Sequence, residues 1–102
     1  MGDYDLQSFD PIGETDVPST VGGTTILTAT QAANTRNIEV RNTGAVNITI
    51  CDAQQTPVYG EGWEPVKPNG VMKFSLLHRD LPANGLKAIA ESGTGKIKIA
   101  RG

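Results

Sequence analysis

The sequence has few of the residues on which catalysis and small stapled scaffolds depend. It contains one cysteine, Cys51, and one histidine, His78, among 102 residues. A single cysteine excludes an internal disulfide, and one residue of each type cannot build a zinc site. Aromatic residues make up 5% of the chain, and no basic cluster is interleaved with them. We therefore expect no metal, no cofactor and no nucleic-acid partner.

Long hydrophobic runs are also missing. None approaches the roughly 18–20 apolar residues that a membrane span requires. The opening stretch, MGDYDLQSFD, is acidic and lacks the basic and apolar regions of a secretory signal. The sequence therefore predicts no membrane partner and no signal peptide. Its 12 glycines and 20% charged residues are typical of a turn-rich β-protein of one domain.

Short apolar stretches with a period of two predict strands rather than helices. Turn residues separate these stretches every 8–12 residues or so, which is the pattern of a small antiparallel β-sandwich or jelly-roll-like barrel. No helix longer than a turn is expected. The six predicted strands are residues 24–30, 37–42, 46–51, 71–77, 86–90 and 97–100, with a possible seventh at 58–59.

Two of the turns predict hairpins. The first joins the strands within residues 36–52 through Asn42-Thr43-Gly44, and the second joins the last two strands through residues 92–95. The GTGK of the second turn looks like part of a phosphate-binding loop, but Ala90 replaces the required first glycine. Ile97 replaces the Ser or Thr after the lysine, and a strand follows instead of a helix. We therefore interpret this stretch as a hairpin turn.

Charge divides the chain unevenly. Residues 1–20 hold five acidic residues and no Lys or Arg, whereas residues 21–102 hold six acidic and nine basic residues. Pro11 and Pro18 interrupt any helix in the acidic stretch, which has no sustained period. The sequence therefore predicts an extended N-terminal arm over residues 1–20 and a β-sandwich domain over residues 21–102.

An acidic arm on a basic body indicates docking on a basic surface of the same chain or of a neighbour. Lys96, Lys98 and Arg101 on the last strand are the predicted basic dock. A solvated tail is the alternative. The predicted partner-binding anchors of the arm are its apolar side chains, and removal of residues 1–18 is expected to leave a folded domain that no longer binds its partner. These anchors are Tyr4, Leu6, Phe9 and Ile12.

The sequence contains few residues that could form a catalytic site. Such a site would have to combine Cys51 and His78 with Asp52 or Asp80, and no helix N-terminus near Cys51 is predicted to lower its pKa. We expect no enzyme activity. Tyr59 and Trp63, in a Gly/Pro-rich loop, form a possible surface aromatic contact for a sugar or a protein. Alternatively, Trp63 covers an open end of the sandwich.

Four segments resemble the small β-domains of virion proteins from tailed bacteriophages. They are VGGTTILTAT, NIEVRNTGAVNITI, PNGVMKFSL and LKAIAESGTGKIKIA, within a resemblance that covers about four-fifths of the chain. The sequence departs from that pattern at Lys87, where an aromatic residue is usual, and at Asn69-Gly70, where Pro-Gly is usual. The resemblance implies a β-sandwich, no enzymatic activity and assembly as a homo-oligomer, frequently a trimer.

From this resemblance we expect a capsid decoration (cement) protein. It would be made in the host cytoplasm, would reside on the capsid surface of the virion, and would bind the major capsid protein or other virion proteins. A neck, tail or fibre-base component of a phage is one alternative. A carbohydrate-binding module that uses Tyr59 and Trp63 is another.

Overall fold

A computed structural model describes residues 12–33, 35–61, 65–75 and 82–101. Within these ranges the chain forms seven strands and one short helix, arranged as two antiparallel sheets. The all-β prediction and the small sandwich are thereby confirmed, whereas a jelly-roll connection stays a prediction. The elements are β1 (Ile12–Pro18), β2 (Thr24–Leu27), α1 (Ala29–Ala33), β3 (Asn37–Asn42), β4 (Ile48–Asp52), β5 (Val71–Ser75), β6 (Leu86–Ala90) and β7 (Thr94–Arg101).

The order of strands differs from the predicted hairpins. One sheet has the order β1-β7-β3-β5 and the other has the order β2-β6-β4. Strands β3 and β4 therefore belong to different sheets, and so do β6 and β7, which makes both hairpin predictions wrong. The physical reason is that period two shows which face of a strand is apolar but not which strand it pairs with. Two strands whose connection crosses from one sheet to the facing sheet show the same alternation of apolar and polar residues as the two strands of a hairpin.

The core lies between the two sheets. Apolar side chains from β3 and β7 face those from β2, β4 and β6, as the alternation in most of these strands predicts. Burying such side chains is the main source of stability in a domain of this size, at about 1.5–3 kcal/mol each. The largest fully buried apolar side chains include Leu27, Ile38, Val40, Ile48, Ile50, Leu86 and Ile97.

Strand β4 is buried on both of its faces. Thr49 and Cys51, which point away from the core side chains, are 0% and 1% exposed. The following loop contacts Thr49, whose Oγ1 accepts a hydrogen bond of 3.0 Å from the Gly60 N–H. The Pro57 carbonyl of the same loop accepts a 3.1 Å bond from the Gly22 N–H. In its described part, residues 53–61, the Gly/Pro-rich loop is therefore attached both to β4 and to the turn before β2.

The N-terminal boundary lies earlier than predicted. Residues 12–18, assigned from the sequence to the arm, form β1 against β7, and Val17 is fully buried. A bulge between Ile12 and Thr15 places an extra residue opposite Lys98, and this irregularity hides the period of two. Removing residues 1–18 would therefore remove a strand and a core side chain. Residues 1–11 lie outside the described residues, and with them Tyr4, Leu6 and Phe9.

Strand β2 ends three residues before its predicted end at Thr30. Thr28 Oγ1 accepts a 3.1 Å hydrogen bond from the Gln31 N–H, and Gln31 Oε1 accepts one of 2.9 Å from the Thr28 N–H. This reciprocal pair is a capping box, which favours the start of a helix over continued strand. The β-branched composition of residues 24–30 concealed it.

The Gly23→Ala substitution tests the close contact between the β1–β2 turn and β6. Gly23 has a φ of +47°, and a Cβ there would collide with the Ala88 carbonyl oxygen. Gly93→Ala is the matched control, because its φ is +57° and no atom lies within 4 Å of the added Cβ. We expect Gly93→Ala to cost about 1–2 kcal/mol of unfolding free energy and Gly23→Ala at least ~3. Chemical denaturation measures both, and equal losses would contradict the contact.

Candidate functional site

Cys51 is unsuited to act as a nucleophile. Its side chain is buried in β4, and this burial raises the pKa of the thiol above its ordinary value, although the charge of Lys87 acts in the opposite direction. A raised pKa leaves less of the reactive thiolate at neutral pH. His78 and Asp80, the other candidates from the sequence, lie outside the described residues. Within the described ranges, no group of three His, Cys, Asp or Glu residues is placed to hold a metal ion.

The aromatic pair is only partly described. Tyr59 is half-buried in the loop over β4, next to Val58, which forms an isolated bridge with Glu61. Trp63 lies outside the described residues. The predicted contact through both rings therefore stays a prediction.

The predicted basic dock divides between two sides of β7. Lys96 and Lys98 point outward, away from the core. Arg101 has the same parity as the buried Ile99, and its Nη1 donates a 3.2 Å hydrogen bond to the Gln31 carbonyl of α1. The prediction that Arg101 shares a basic face with the two lysines is therefore wrong. The strict alternation of a strand already contained this information.

Lys96 contacts the acidic residues of β1. It lies opposite Asp16 in the β1–β7 ladder, and its Nζ is 2.7 Å from Asp16 Oδ1 and 4.0 Å from Glu14 Oε1. Thr43 Oγ1 holds the other Glu14 oxygen through a 2.8 Å hydrogen bond. The hydrogen bond and the charge of Asp16 raise the pKa of Lys96. Part of the acidic N-terminal stretch thus lies on the basic strand of its own chain.

The outer face of the four-stranded sheet carries charges of both signs. We call it the charged face; its ionisable residues are Glu14, Asp16, Glu39, Arg41, Lys73, Lys96 and Lys98. Lys98 lies directly opposite Arg41, an arrangement of like charges that is destabilising. Glu39 serves two cations, at 3.3 Å from Arg41 and 4.0 Å from Lys73. Among the described residues Lys98 has no ion pair, so positive charge is left on this face away from β1.

An apolar cleft lies at the other edge of the same sheet, beside β5. The segment before β5 is tied to β4, since Val66 and Ile48 exchange backbone hydrogen bonds of 2.7 and 3.1 Å. The chain then turns at Asn69, whose φ is +67°, and enters β5. A cleft of about 350 Å³ opens between the segment around Val66 and the start of β5. We call it the edge cleft; Pro65, Val66, Lys67, Gly70, Val71 and Met72 line it.

The edge cleft was not predicted from the sequence. It depends on β5 being the last strand of its sheet, and strand order cannot be obtained from periodicity. One signal was present in the sequence, because Val71 occupies an outward position of its strand. It is 37% exposed, one of two large hydrophobic residues in the described ranges that are this exposed; the other is Val21 at 73%.

Comparison with known proteins identifies no relative. No protein-family model matches the chain, and neither the curated proteins nor the solved structures include a match. In the part of the chain that the structure describes, no helix has the length and apolar character needed to cross a membrane.

The Asp16→Asn substitution tests the contact between β1 and Lys96. We expect the pKa of Lys96 to fall toward its ordinary value, because the hydrogen bond and charge that raise it are weakened. Glu39→Gln, which removes a carboxylate two strands from β1, is the matched control and should leave the pKa of Lys96 unchanged. Titration of the Lys96 side chain by NMR measures both.

The same contact makes stability depend on alkaline pH. Folding raises the pKa of Lys96, so the resulting stabilisation is complete below the ordinary value of about 10.5 and is lost as the pH rises through the folded-state pKa. Lys96→Met should lack this component of the pH dependence. Identical pH profiles for the wild type and Lys96→Met between about pH 9 and 12 would contradict it.

Proposed function

We propose that this chain is a non-enzymatic structural protein of a virion, a capsid decoration protein that attaches to the outer shell through its N-terminal segment. The observation that carries the proposal is the way this segment is joined to the domain. Strand β1 is an edge strand held on β7, and residues 1–11 continue from its free end at Ile12.

The junction is suited to bear load. Strand β1 pairs with β7 along residues 12–18, and β7 pairs in turn with β3. A force along the N-terminal segment would act along these strands, across hydrogen bonds that run perpendicular to them. Several bonds would then have to break together. The buried Val17 and the ion pair between Asp16 and Lys96 add to this attachment.

The N-terminal segment has the composition of a protein-binding peptide. Tyr4, Leu6 and Phe9 are apolar side chains within an acidic sequence, and aromatic residues are enriched among those that dominate interface energies. Acidic residues between them favour a basic partner and fix its register. Ile12, the fourth predicted anchor, belongs to β1, so we assign the binding role to the other three.

Binding to a shell also explains how one short segment could suffice. A lattice presents many equivalent sites, and contacts made within it gain from high effective concentration. Weak attachment of each copy therefore sums to strong stabilisation of the particle. A neck, tail or fibre-base role would use the same domain at far fewer positions, so the copy number per particle separates the two.

Particles produced from the genome that encodes this chain provide the test. Particles that lack the chain are incubated with purified wild-type protein, and bound copies are counted by quantitative gel analysis and electron cryomicroscopy. We expect many copies on the shell, in proportion to its capsomers. Removal of residues 1–11 should abolish this binding while leaving β1 to β7 intact.

Val21→Ser is the control, because Val21 is the most exposed large hydrophobic residue of the described ranges and lies outside the segment. It should decorate particles as the wild type does. Stoichiometric binding by the protein without residues 1–11 would contradict the role of the segment. A low copy number confined to one vertex would replace the decoration role with a neck or tail role.

A further inference from the structure

We propose that Lys98 and Arg41, on the two inner strands of the charged face, bind a carboxylate of a partner protein, whose contacting segment also places an apolar side chain on Val71. The inference goes beyond the proposed function, which assigns attachment to the N-terminal segment. It concerns a second surface of the domain, and it can be tested without any shell.

Two cations lie side by side on this face. Lys98 of β7 is directly opposite Arg41 of β3, on the inner strands of the four-stranded sheet. Side chains in this position have Cβ atoms about 5 Å apart, so their charged ends can reach one anion. Like charges placed in this way destabilise the free domain. Natural sequences break such local rules mainly at functional sites.

The acidic residues of β1 do not neutralise Lys98. Asp16 lies 2.7 Å from Lys96 Nζ, and the two carboxylate oxygens of Glu14 contact Lys96 and Thr43. Both acids are therefore engaged one pair further along the sheet. The Lys98 side chain is exposed, and it forms no ion pair within the described residues.

Glu39, the other acid of the face, lies low between two cations. Its carboxylate is 3.3 Å from Arg41 Nη2 and 4.0 Å from Lys73 Nζ. The Glu39 side chain is 15% exposed, whereas those of Arg41 and Lys73 are 50% and 74% exposed. Three cations, counting Lys98, thus share one largely covered acid. A partner that approaches this half of the face meets positive charge.

The arrangement of charge favours a single carboxylate over a polyanion. A nucleic acid that crossed the face would extend from the pair to Glu14 and Asp16, which would repel its phosphates. The Arg41 guanidinium is planar and can hold a carboxylate with two of its N–H groups. Within the described residues, Glu39 contacts only Nη2 of Arg41, so other N–H groups remain for a second carboxylate.

An exposed apolar side chain completes the site. Val71 of β5 lies opposite Arg41, so Lys98, Arg41 and Val71 form one row across three strands. Val71 is 37% exposed, and an inorganic anion would leave it uncovered. With strands about 4.8 Å apart, the midpoint of the two cations is about 7 Å from Val71. Residues i and i+2 of an extended segment are separated by the same distance, ~6.8 Å, and point to one side.

NMR titration of the full-length protein tests the inference with a defined probe. The probe is the capped peptide Glu-Ala-Leu-Ala-Glu, whose alternate residues share one side when it is extended, and the same peptide with Gln in place of Glu is its comparison. We expect saturable binding of the Glu peptide with a Kd of about 1–10 mM, because the contacts are exposed. The largest shifts should occur at the amides of residues 39–41, 71–73 and 97–99. The Gln peptide should not bind.

Substitutions separate the pair from general attraction by charge. Lys98→Gln should weaken binding about threefold to fivefold, which is the effect of one exposed ion pair. Lys98→Arg keeps the charge and should bind as the wild type does. Arg36→Gln is the matched control, since it removes an exposed positive charge before β3 and should not change the affinity. At low salt, Lys98→Gln should also lower the unfolding equilibrium constant about twofold, because it removes the repulsion with Arg41.

Several results would overturn the inference. These are equal binding of the two peptides, undiminished binding by Lys98→Gln, and an equal loss in Arg36→Gln. Inorganic phosphate that binds the same residues more tightly would assign the pair to a phosphate group instead. Tighter peptide binding by Asp10→Asn would assign it to the chain's own acidic segment. A Lys98→Gln variant less stable than the wild type would show that the lysine serves folding. Each of these results would leave attachment through residues 1–11 in place.

Discussion

The position of β7 between β1 and β3 is the constraint on which the rest of the structure depends. On its inner side, Ile97 and Ile99 fill the core, and Gly95 lies so close to the other sheet that a Cβ there would meet Ile48 at 2.8 Å. On its outer side, Lys96 holds the acidic strand β1. Strand β7 thus packs closely against the other sheet and links β1 to β3 within its own sheet. The lysine at position 96 therefore stabilises the attachment of β1 and is not only a surface charge.

Most strands and most core residues can be predicted from the sequence, but the pairing of the strands in space cannot. Period two places Ile38, Val40, Ile48 and Ile50 inside, as observed. It does not distinguish a hairpin from a crossing between sheets, because in both cases the apolar faces of consecutive strands end in one core. Strand β1 escaped detection for a local reason, since its bulge breaks the alternation that would have revealed it.

The candidate site was predictable where it depends on complementary charge and unpredictable where it depends on strand order. The acidic N-terminal stretch and the lysines of β7 suggested a contact, and Lys96 makes one with Asp16. Arg101 has the inward parity of Ile97 and Ile99, so the alternation of β7 itself separates it from Lys96 and Lys98. The edge cleft needed two facts that no local pattern contains: that β5 is the last strand of its sheet, and that Val66 is tied to β4.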